Sequence, residues 1–435
     1  MAGFDRRHLM WAALAFGFLF VNFFRNSTAV LAGELAADFS TTAAELGLLH
    51  SSFYYIYAAA QLPAGLVADR YGPRRVVAGG LVGMAVGVTV FAASGSLAVG
   101  FLGRALAGFG GSVIYVAVLR FCANWFAPEE FATMTGFTIA AAGLGGILAT
   151  TPLAIVAGAA GWRVVLLASA GTMLVAAVLV AVVVQDRPTE ADAAAHEGVE
   201  GEPDGGEDAA ALRDVLAGAR RVLADLDTWL MGTMLFLVIG LNFTVVGLWG
   251  VPYIVNLYDV SVATAALTVL AANVGFALGS PTFGALSDRL GRRTEVILAS
   301  CLLFCGSYAV VFLTVTPPLV VVAAAFFTAM FVTGGASVAY TVAKERHVDD
   351  SGAATGTVNG LAYAGAAVFP AVMGVVLDAY WTGEVIDGAR AYTEAGYRVA
   401  FGLVTLGGVV AVACALALHV RERRRADEPT PATAD

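Results

Sequence analysis

The stretch GLVADRYGPRR, residues 65–75, sets an aspartate and three arginines within a chain of 435 residues that is 59% hydrophobic. A close copy, GALSDRLGRR, occupies residues 284–293, and the two aspartates, Asp69 and Asp288, are 219 residues apart. A short charged sequence that recurs after about half the chain indicates that one structural unit has been duplicated.

The chain around these two stretches is too apolar for a soluble protein. Only 13% of the residues are charged, the mean hydropathy is +0.80, and segments such as 76–93 and 164–184 contain no charge. A helix needs about 20 apolar residues to cross a bilayer, whereas a helix buried in a soluble protein needs one apolar stripe. The sequence therefore predicts an integral membrane protein.

Hydropathy divides the chain into two sets of six predicted spans. The first set is 9–36, 44–67, 76–94, 97–121, 132–156 and 163–184, and the second is 228–256, 262–286, 294–315, 318–342, 353–378 and 397–419. Only helices and closed barrels span lipid, and these segments are too long and uniformly apolar for barrel strands. We predict an all-α membrane protein with twelve transmembrane helices in two pseudo-symmetric halves of six.

An acidic segment separates the two sets of spans. Between Asp186 and Asp208 there are nine acidic residues, one arginine and no aromatic residue, which is typical of a disordered linker. The predicted organisation is an N-terminal half at 1–185, an acidic linker at 186–227, a C-terminal half at 228–420 and a disordered tail at 421–435. The basic residues comprise 23 arginines and one lysine, a composition that resembles haloarchaeal proteins.

The distribution of basic residues predicts the orientation in the membrane. If the N-terminus is cytoplasmic, 18 arginines and lysines lie on the cytoplasmic side, and three, Arg163, Arg390 and Arg398, lie outside. Cytoplasmic loops carry the excess of positive charge. We therefore expect a multi-pass protein of the cell (plasma) membrane with both termini in the cytoplasm.

The duplication recurs at a second place. PEEFATMTG, residues 128–136, enters the predicted fifth span, and VDDSGAATG, residues 348–356, enters the eleventh. Their Thr-Gly pairs and their acidic residues match at an offset of 220. Two matches at nearly one offset indicate two homologous six-helix units of parallel topology.

These features resemble the major facilitator superfamily. G-x-x-x-D-R-x-G-x-R-R after the second span, with its copy after the eighth, resembles the signature loop of that family, and the twelve spans and central linker extend the likeness to the whole chain. GRALAGFGG (103–111) resembles the arginine motif of the fourth span. GLGG (143–146) with Pro152 is a loose version of the antiporter signature, which disfavours drug export.

The resemblance implies that the repeated loops form an inner gate. In this family the loop aspartates bind helix N-termini of the other half, here Asp69 at the start of the eleventh span and Asp288 at the start of the fifth. The simpler alternative is that the arginines only anchor the loops on the cytoplasmic side. The predicted gating residues are Gly65, Asp69, Arg70, Gly72, Arg74, Arg75, Gly284, Asp288, Arg289, Gly291, Arg292 and Arg293.

Arg25 is the leading candidate for substrate binding because an arginine inside a membrane span is costly. Its surroundings, residues 23–49, resemble the first helix of the organic-anion and sugar-phosphate permease branches, where this arginine meets the acidic group of the substrate. The alternative is that Arg25 snorkels to the membrane surface. The other predicted substrate-binding residues are Asn22, Tyr54, Tyr57, Arg120, Asn242, Tyr253, Asn256, Asn273 and Asn359.

Arg104 and His50 are the candidates for coupling. Arg104 lies in the outer half of the fourth span and belongs either to a coupling network or to helix packing. His50 places an imidazole, which can titrate near neutral pH, inside the second span. The alternative to a coupling role is that His50 only packs in the bundle as a hydrogen-bonded side chain. Arg120, near the inner end of the fourth span, either lines the cavity or snorkels.

We therefore expect a secondary transporter that moves a small organic anion by alternating access. The alternatives are an exporter of lipophilic compounds and a transporter-like membrane sensor. No HExxH motif, nucleophile elbow or histidine cluster predicts an enzyme. The four cysteines lie without histidines in or beside spans, so we expect neither a metal nor another cofactor. We expect a monomer in the bilayer that binds no nucleic acid; the sequence leaves the coupling ion unassigned.

Overall fold

The computed structural model describes residues 6–188, 218, 220–347, 350–386 and 389–427. Most of the predicted linker and the last eight residues of the predicted tail lie outside these ranges. The helices are α1 (Arg6–Phe39), α2 (Ala43–Ala92), α3 (Leu97–Ser112), α4 (Ile114–Trp125), α5 (Pro128–Leu148), α6 (Thr151–Ala160), α7 (Trp162–Val183), α8 (Leu226–Thr244), α9 (Gly250–Tyr258), α10 (Val262–Leu290), α11 (Arg293–Thr314), α12 (Leu319–Phe331), α13 (Thr333–Ala336), α14 (Val338–Arg346), α15 (Ser351–Asp378) and α16 (Glu394–Asp427). A π-helical segment, Val245–Trp249, joins α8 to α9, and the antiparallel strands β1 (Trp381–Ile386) and β2 (Ala389–Tyr392) form a hairpin between α15 and α16.

The structure confirms an all-α membrane fold. Among the described residues, ten helices are long and apolar enough to cross a bilayer, or eleven if the bent pair Thr133–Leu148 and Thr151–Ala160 is one span. The predicted span at 44–67 is not among them, because the first part of α2 carries polar residues such as His50, Ser51 and Ser52. The count of twelve stays a prediction.

Two glycines of the signature loops, Gly72 and Gly291, adopt backbone conformations that the turns require. Gly72 interrupts α2 with φ +77° and ψ 156°, and Gly291 ends α10 in the left-handed conformation. Side chains with a Cβ rarely adopt a positive φ. A Cβ on Gly72 would also lie 2.6 Å from the carboxylate oxygen of Asp186. The turn geometry therefore favours glycine at both positions, and the gating role of Gly72 and Gly291 stays a prediction.

The helices form two bundles that meet along two helix pairs. In the first half α2 packs along α3 and α7, and α1 packs along α5; in the second half α8 packs on α15, and α11 on α16. The halves meet where α2 faces α15 and where α5 faces α10. We call the end of the bundle that carries Arg6 and Asp427 the termini side, and the opposite end, which carries the β-hairpin, the hairpin side.

Glycines bring α2 and α15 into backbone contact on the hairpin side. A Cβ added to Gly47 would lie 2.3 Å from the carbonyl oxygen of Pro370, and one added to Gly374 would lie 2.3 Å from that of Ala43. Farther along the pair, a Cβ on Gly360 would lie 4.0 Å from the nearest backbone oxygen, and one on Gly352 would meet no described atom within 4 Å. Among these glycines, the backbone contacts are therefore closest on the hairpin side.

The second helix pair shows the same gradient. A Cβ added to Gly143 of α5 would lie 2.5 Å from the Cβ of Ala277 in α10, whereas Gly136 and Gly284, nearer the termini side, have no described atom that close. Both interfaces are tight toward the hairpin side. The structure is therefore closed on the hairpin side.

A methyl group at Gly374 tests this closure. Because the added Cβ would overlap the backbone of α2, Gly374→Ala should force the two helices apart on the hairpin side. A cysteine at the buried position Ala29 should then react several-fold faster with a membrane-impermeant maleimide applied from that side. Gly306→Ala is the matched control, since its Cβ would meet no described atom within 4 Å. Equal reactivity in the two variants would contradict the packing.

Candidate substrate-binding site

Arg25 lies near the middle of α1, where the two halves meet. The side chain is 5% exposed, and its guanidinium carbon lies 4.2 Å from the centre of the Phe243 ring in α8. Within the part of the chain that the structure describes, no carboxylate pairs with Arg25, and its Nε has no hydrogen-bond partner. A cation–π contact replaces some of the lost hydration but leaves the charge uncompensated.

Asn22 and Asn26 occupy the same helix on either side of Arg25. The amide of Asn22 donates to the carbonyl of Phe18 at 3.4 Å, and that of Asn26 donates to the carbonyl of Asn22 at 3.0 Å. Each side-chain oxygen keeps capacity to accept a hydrogen bond. Asn22 was a predicted site residue, and Asn26 joins it because the two are one helical turn apart.

Aromatic side chains from both halves surround this position. The ring of Tyr57 in α2 lies 4.7 Å from that of Tyr363 in α15, and the ring of Tyr54 lies 6.4 Å from both Tyr363 and Phe243. We call Tyr54, Tyr57, Phe243 and Tyr363 the aromatic cluster. The hydroxyl of Tyr54 is buried without a hydrogen-bond partner among the described residues.

Tyr363 and Phe243 were not predicted. Tyr363 lies four residues after Asn359, which was predicted, and so falls on the same helix face. Phe243 directly follows Asn242, but an apolar residue in an apolar span gives no signal of its own. The helical spacing would thus have found Tyr363, and only the fold reveals Phe243.

His50 packs against the π-helical segment of the other half. A Cβ on Gly247 would lie 3.2 Å from Cε1 and Nε2 of the imidazole. His50 is fully buried, and neither ring nitrogen has a hydrogen-bond partner within the described ranges, so the expected hydrogen-bonded histidine is not found there. Single π-turns inside helices occur frequently at functional sites.

Arg104 is buried in the first half, behind Arg25. Its guanidinium carbon lies 4.9 Å from the ring centre of Phe24 and 5.5 Å from that of Phe91. All three guanidinium nitrogens lack a hydrogen-bond partner among the described residues. The role of Arg104 and His50 in coupling stays a prediction.

Asn273 reaches the same region from α10. It is 2% exposed, and its amide donates to the carbonyl of Val269 at 3.2 Å. A Cβ on Gly146 of α5 would lie 2.3 Å from Oδ1 of Asn273 and 3.3 Å from Nδ2 of Asn26. The glycine-rich stretch of the fifth predicted span therefore lets two amides, one from each half, approach.

The structure does not place Asn242 and Tyr253 at this site. The amide nitrogen of Asn242 donates to the Ala329 carbonyl at 2.9 Å and to Thr333 Oγ1 at 2.8 Å, and its oxygen accepts from Tyr308 at 2.7 Å. The Tyr253 hydroxyl donates to the Val315 carbonyl. These hydrogen bonds hold the second half together, and the role of Asn242 and Tyr253 in substrate binding stays a prediction.

Three other predicted residues lie elsewhere. Asn256 is exposed and accepts hydrogen bonds from Tyr392 N at 3.4 Å and Tyr397 Oη at 3.3 Å; it lines a hairpin-side cavity of about 610 Å³. Arg120 lines a separate cavity of about 190 Å³ together with Arg70. Asn359 accepts from Tyr340 Oη at 3.0 Å, one turn from the aromatic cluster.

The predicted contact between Asp288 and the start of α5 is not formed in this structure. The Asp288 side chain is 75% exposed and lies 4.0 Å from Arg293, so it does not cap α5 in this structure. The side chain of Asp69 lies outside the described residues. At the start of α15, two hydrogen bonds from Arg221 lower the pKa of Asp350. The gating role of the repeated loops stays a prediction.

Replacing Asn242 separates its structural role from substrate binding. Asn242→Ala leaves Tyr308 and Thr333 without their buried partner, which should cost about 1–3 kcal/mol of stability. The apparent melting temperature should fall while ligand affinity in the folded fraction stays unchanged. Thr172→Ala, at an exposed position whose hydroxyl bonds to the Ala168 carbonyl of its own helix, is the control and should melt like the wild type. A loss of affinity without loss of stability would return Asn242 to the site.

Comparisons with known proteins agree on one family. The model of the Major Facilitator Superfamily matches residues 14–269 and 232–434. The Membrane sensor protein UhpC of Salmonella typhimurium is 27% identical over 395 residues, which is 87% of each chain. The Probable sulfoacetate transporter SauU of Cupriavidus necator is 30% identical over 159 residues, 36% of each chain. The Hexuronate transporter of Bacillus subtilis is 29% identical over 170 residues, 38% of this chain and 39% of its own.

A solved structure shows the same fold. The inward-facing, unoccupied bacterial homolog to the human lysosomal transporter Spinster superposes with a TM-score of 0.75. The superposition covers 98% of this chain and 99% of the other, at 16% sequence identity. At that identity the likeness concerns the fold and not the substrate.

Proposed function

Because this chain belongs to the major facilitator superfamily, we propose that it is a secondary transporter that moves a small organic anion by alternating access. It is a multi-pass membrane transport protein of that family and not an enzyme. The proposal that the substrate is an anion rests on Arg25, whose guanidinium is buried and has no carboxylate partner among the described residues. A charge removed from water without a partner costs several kcal/mol, and an anionic ligand offsets that cost.

The surroundings of Arg25 suit an anion with a polar body. The planar guanidinium offers donors for two oxygens of a carboxylate, sulfonate or phosphate at once. The Tyr54 hydroxyl and the amides of Asn26 and Asn273 provide neutral hydrogen-bonding groups beside it. The described acidic residues lie away from this position, so a second carboxylate does not compete with the ligand.

The position of Arg25 between the halves supports alternating access. The guanidinium belongs to the first half, and the ring beneath it, Phe243, belongs to the second. A ligand held there contacts both bundles, so its binding depends on how the halves sit. The close contact of the halves on the hairpin side supports a cycle in which that side opens and closes. The basic residues counted above lead us to propose cytoplasmic termini and a plasma-membrane location.

The names of two relatives support the substrate class. Sulfoacetate and hexuronate, which stand in those names, are both small organic acids with hydroxyl or carboxyl oxygens. We propose a ligand of that class and do not assign either compound. Export of lipophilic compounds fits less well, because a charge buried beside the aromatic cluster disfavours a neutral apolar ligand.

Substitutions of Arg25 test the anion site. Arg25→Lys keeps the charge but loses the bidentate fork, and Arg25→Gln loses both. Loss of a charge-assisted contact costs about 1.5–3 kcal/mol, so Gln should weaken anion binding roughly ten- to a hundredfold, and Lys should weaken it less. Binding would be measured by competition in purified protein, and surface expression would be measured beside it.

The control for this series is Arg398→Gln, which removes a guanidinium from an exposed position on α16. It should bind like the wild type. Snorkelling of Arg25 makes the opposite prediction: Lys is silent, and Gln lowers insertion rather than affinity. Wild-type affinity in a well-expressed Arg25→Gln protein would contradict the anion site.

A second candidate function is ligand sensing. Two relatives that match over 87% of this chain, from Salmonella typhimurium and Escherichia coli, are both named Membrane sensor protein UhpC. A sensor of this fold would bind an anion at the same site and signal to a partner instead of transporting it.

Uptake into proteoliposomes separates transport from sensing. We expect accumulation of at least one member of a panel of sulfoacetate, hexuronates and hexose phosphates, and about ten- to a hundredfold slower uptake by Arg25→Gln vesicles at ligand concentrations below saturation. Empty liposomes give the background rate. Tight binding of a panel member without uptake, under imposed proton and sodium gradients in both directions, would favour the sensor.

A further inference from the structure

We propose that Asp378 is a gating residue that locks the hairpin side closed. It is the last residue of α15, in the second half, and its carboxylate binds the first turn of α2, in the first half. Oδ1 accepts from the backbone N–H of Ala43 at 2.9 Å, and Oδ2 accepts from that of Ala44 at 2.8 Å. Both carboxylate oxygens are therefore used across the interface.

The N-terminus of α2 has a specific need for this carboxylate. The first N–H groups of a helix have no intrahelical partner. Thr42 Oγ1 accepts from Glu45 N at 3.1 Å, and Glu45 Oε2 accepts from Thr42 N at 2.9 Å, which is a capping box. The box leaves the N–H groups of Ala43 and Ala44, and these are the two that Asp378 binds.

Charge adds to these hydrogen bonds. The N-terminus of a helix carries a partial positive charge that favours an anion, and Asp378 places a carboxylate against it. The contact lies beside the backbone approaches at Gly47 and Gly374, where the halves are closest. Any movement that opens the hairpin side between α2 and α15 must break both bonds.

The hairpin supplies a third partner. Arg390, in β2, lies 3.3 Å from Asp378 Oδ1, and its guanidinium carbon lies 4.4 Å from the ring centre of Trp381 in β1. Arg390 also lines the 610 Å³ cavity on the hairpin side. Arg390 therefore connects the lining of that cavity to Asp378. We expect the hairpin to move when Asp378 releases the N–H groups of Ala43 and Ala44.

A general capping role is the alternative. Asp378 and the start of α2 belong to different halves and are more than 330 positions apart in the chain. A cap on a rigid interface would only change stability. A gate residue changes the balance between open and closed forms in folded protein, and this difference decides the experiment.

The test measures distance in the folded protein without any ligand. Spin labels go on cysteines at Ala93 and Thr316, exposed hairpin-side positions of the first and second halves, in a background with the four native cysteines replaced by alanine. Asp378→Asn keeps the size of the side chain but removes its charge. The longer-distance population should rise roughly two- to thirtyfold, the range given by a charge–dipole contact.

Two further variants complete the design. Ala43→Pro removes one donor, and proline is tolerated at the first position of a helix, so it should lengthen the distances in the same way. Glu384→Gln removes an exposed acid of the same hairpin and should leave them unchanged. Wild-type distances in either Asp378→Asn or Ala43→Pro overturn the proposal, as does equal lengthening in Glu384→Gln.

The proposed gating role of Asp378 depends on the proposed function only where it concerns transport, because the distance measurement uses no ligand. If the distances shift as expected but no organic anion is carried, the transport proposal fails and the gate stands. If anions are carried and the distances do not shift, the gate fails alone.

Discussion

The close approach of α2 and α15 decides the arrangement of the rest of the molecule. Gly47 and Gly374 let the two backbones touch near the hairpin side, and any larger side chain at either position would overlap the opposite helix. Since each helix belongs to a different half, their contact fixes the angle between the two bundles. On the same side, Gly143 of α5 packs against Ala277 of α10, whereas Asp288 on the termini side is exposed.

The same angle creates the candidate site. Arg25 and the tyrosines of α2 come from the first half, whereas Phe243 and Tyr363 come from the second, so neither bundle holds the site alone. The charged side chains belong to the first half, and the second half contributes aromatic and amide groups. When the halves move relative to each other, the uncharged side chains of the second half therefore change their positions around Arg25.

The repeat, the membrane character and the family could be predicted because they depend on residue type and spacing. The sequence could not predict whether a polar side chain faces its own bundle or the space between the halves. Asn242, Tyr253 and Asn256 share one predicted span, yet the first two face their own bundle and the third faces the hairpin-side cavity. The π-helical segment Val245–Trp249 adds a residue to this helix and rotates everything after it by about 100°, a shift that the apolar pattern does not reveal.

Long-range contacts were also beyond the sequence. Nothing in the local sequence around Asp378 connects it with Ala43, because a backbone N–H is present at every residue except proline. Two members of the aromatic cluster, Tyr54 and Tyr57, were predicted, because tyrosines stand out in an apolar span. Phe243 was not, because the sequence does not distinguish it from other apolar residues. Sequence patterns therefore identified the charged and polar members of the site, and the fold supplied its walls.

The two buried guanidinium groups also have an electrical consequence. Arg25 and Arg104 lie inside the bundle, and no described carboxylate pairs with either. The empty protein thus holds positive charge within the membrane field, and the anion of the proposed function would cancel part of it. An elementary charge that crosses the full membrane potential changes in energy by about 2.3 kcal/mol per 100 mV. Voltage therefore acts with different force on the empty and the loaded protein, whatever ion accompanies the substrate.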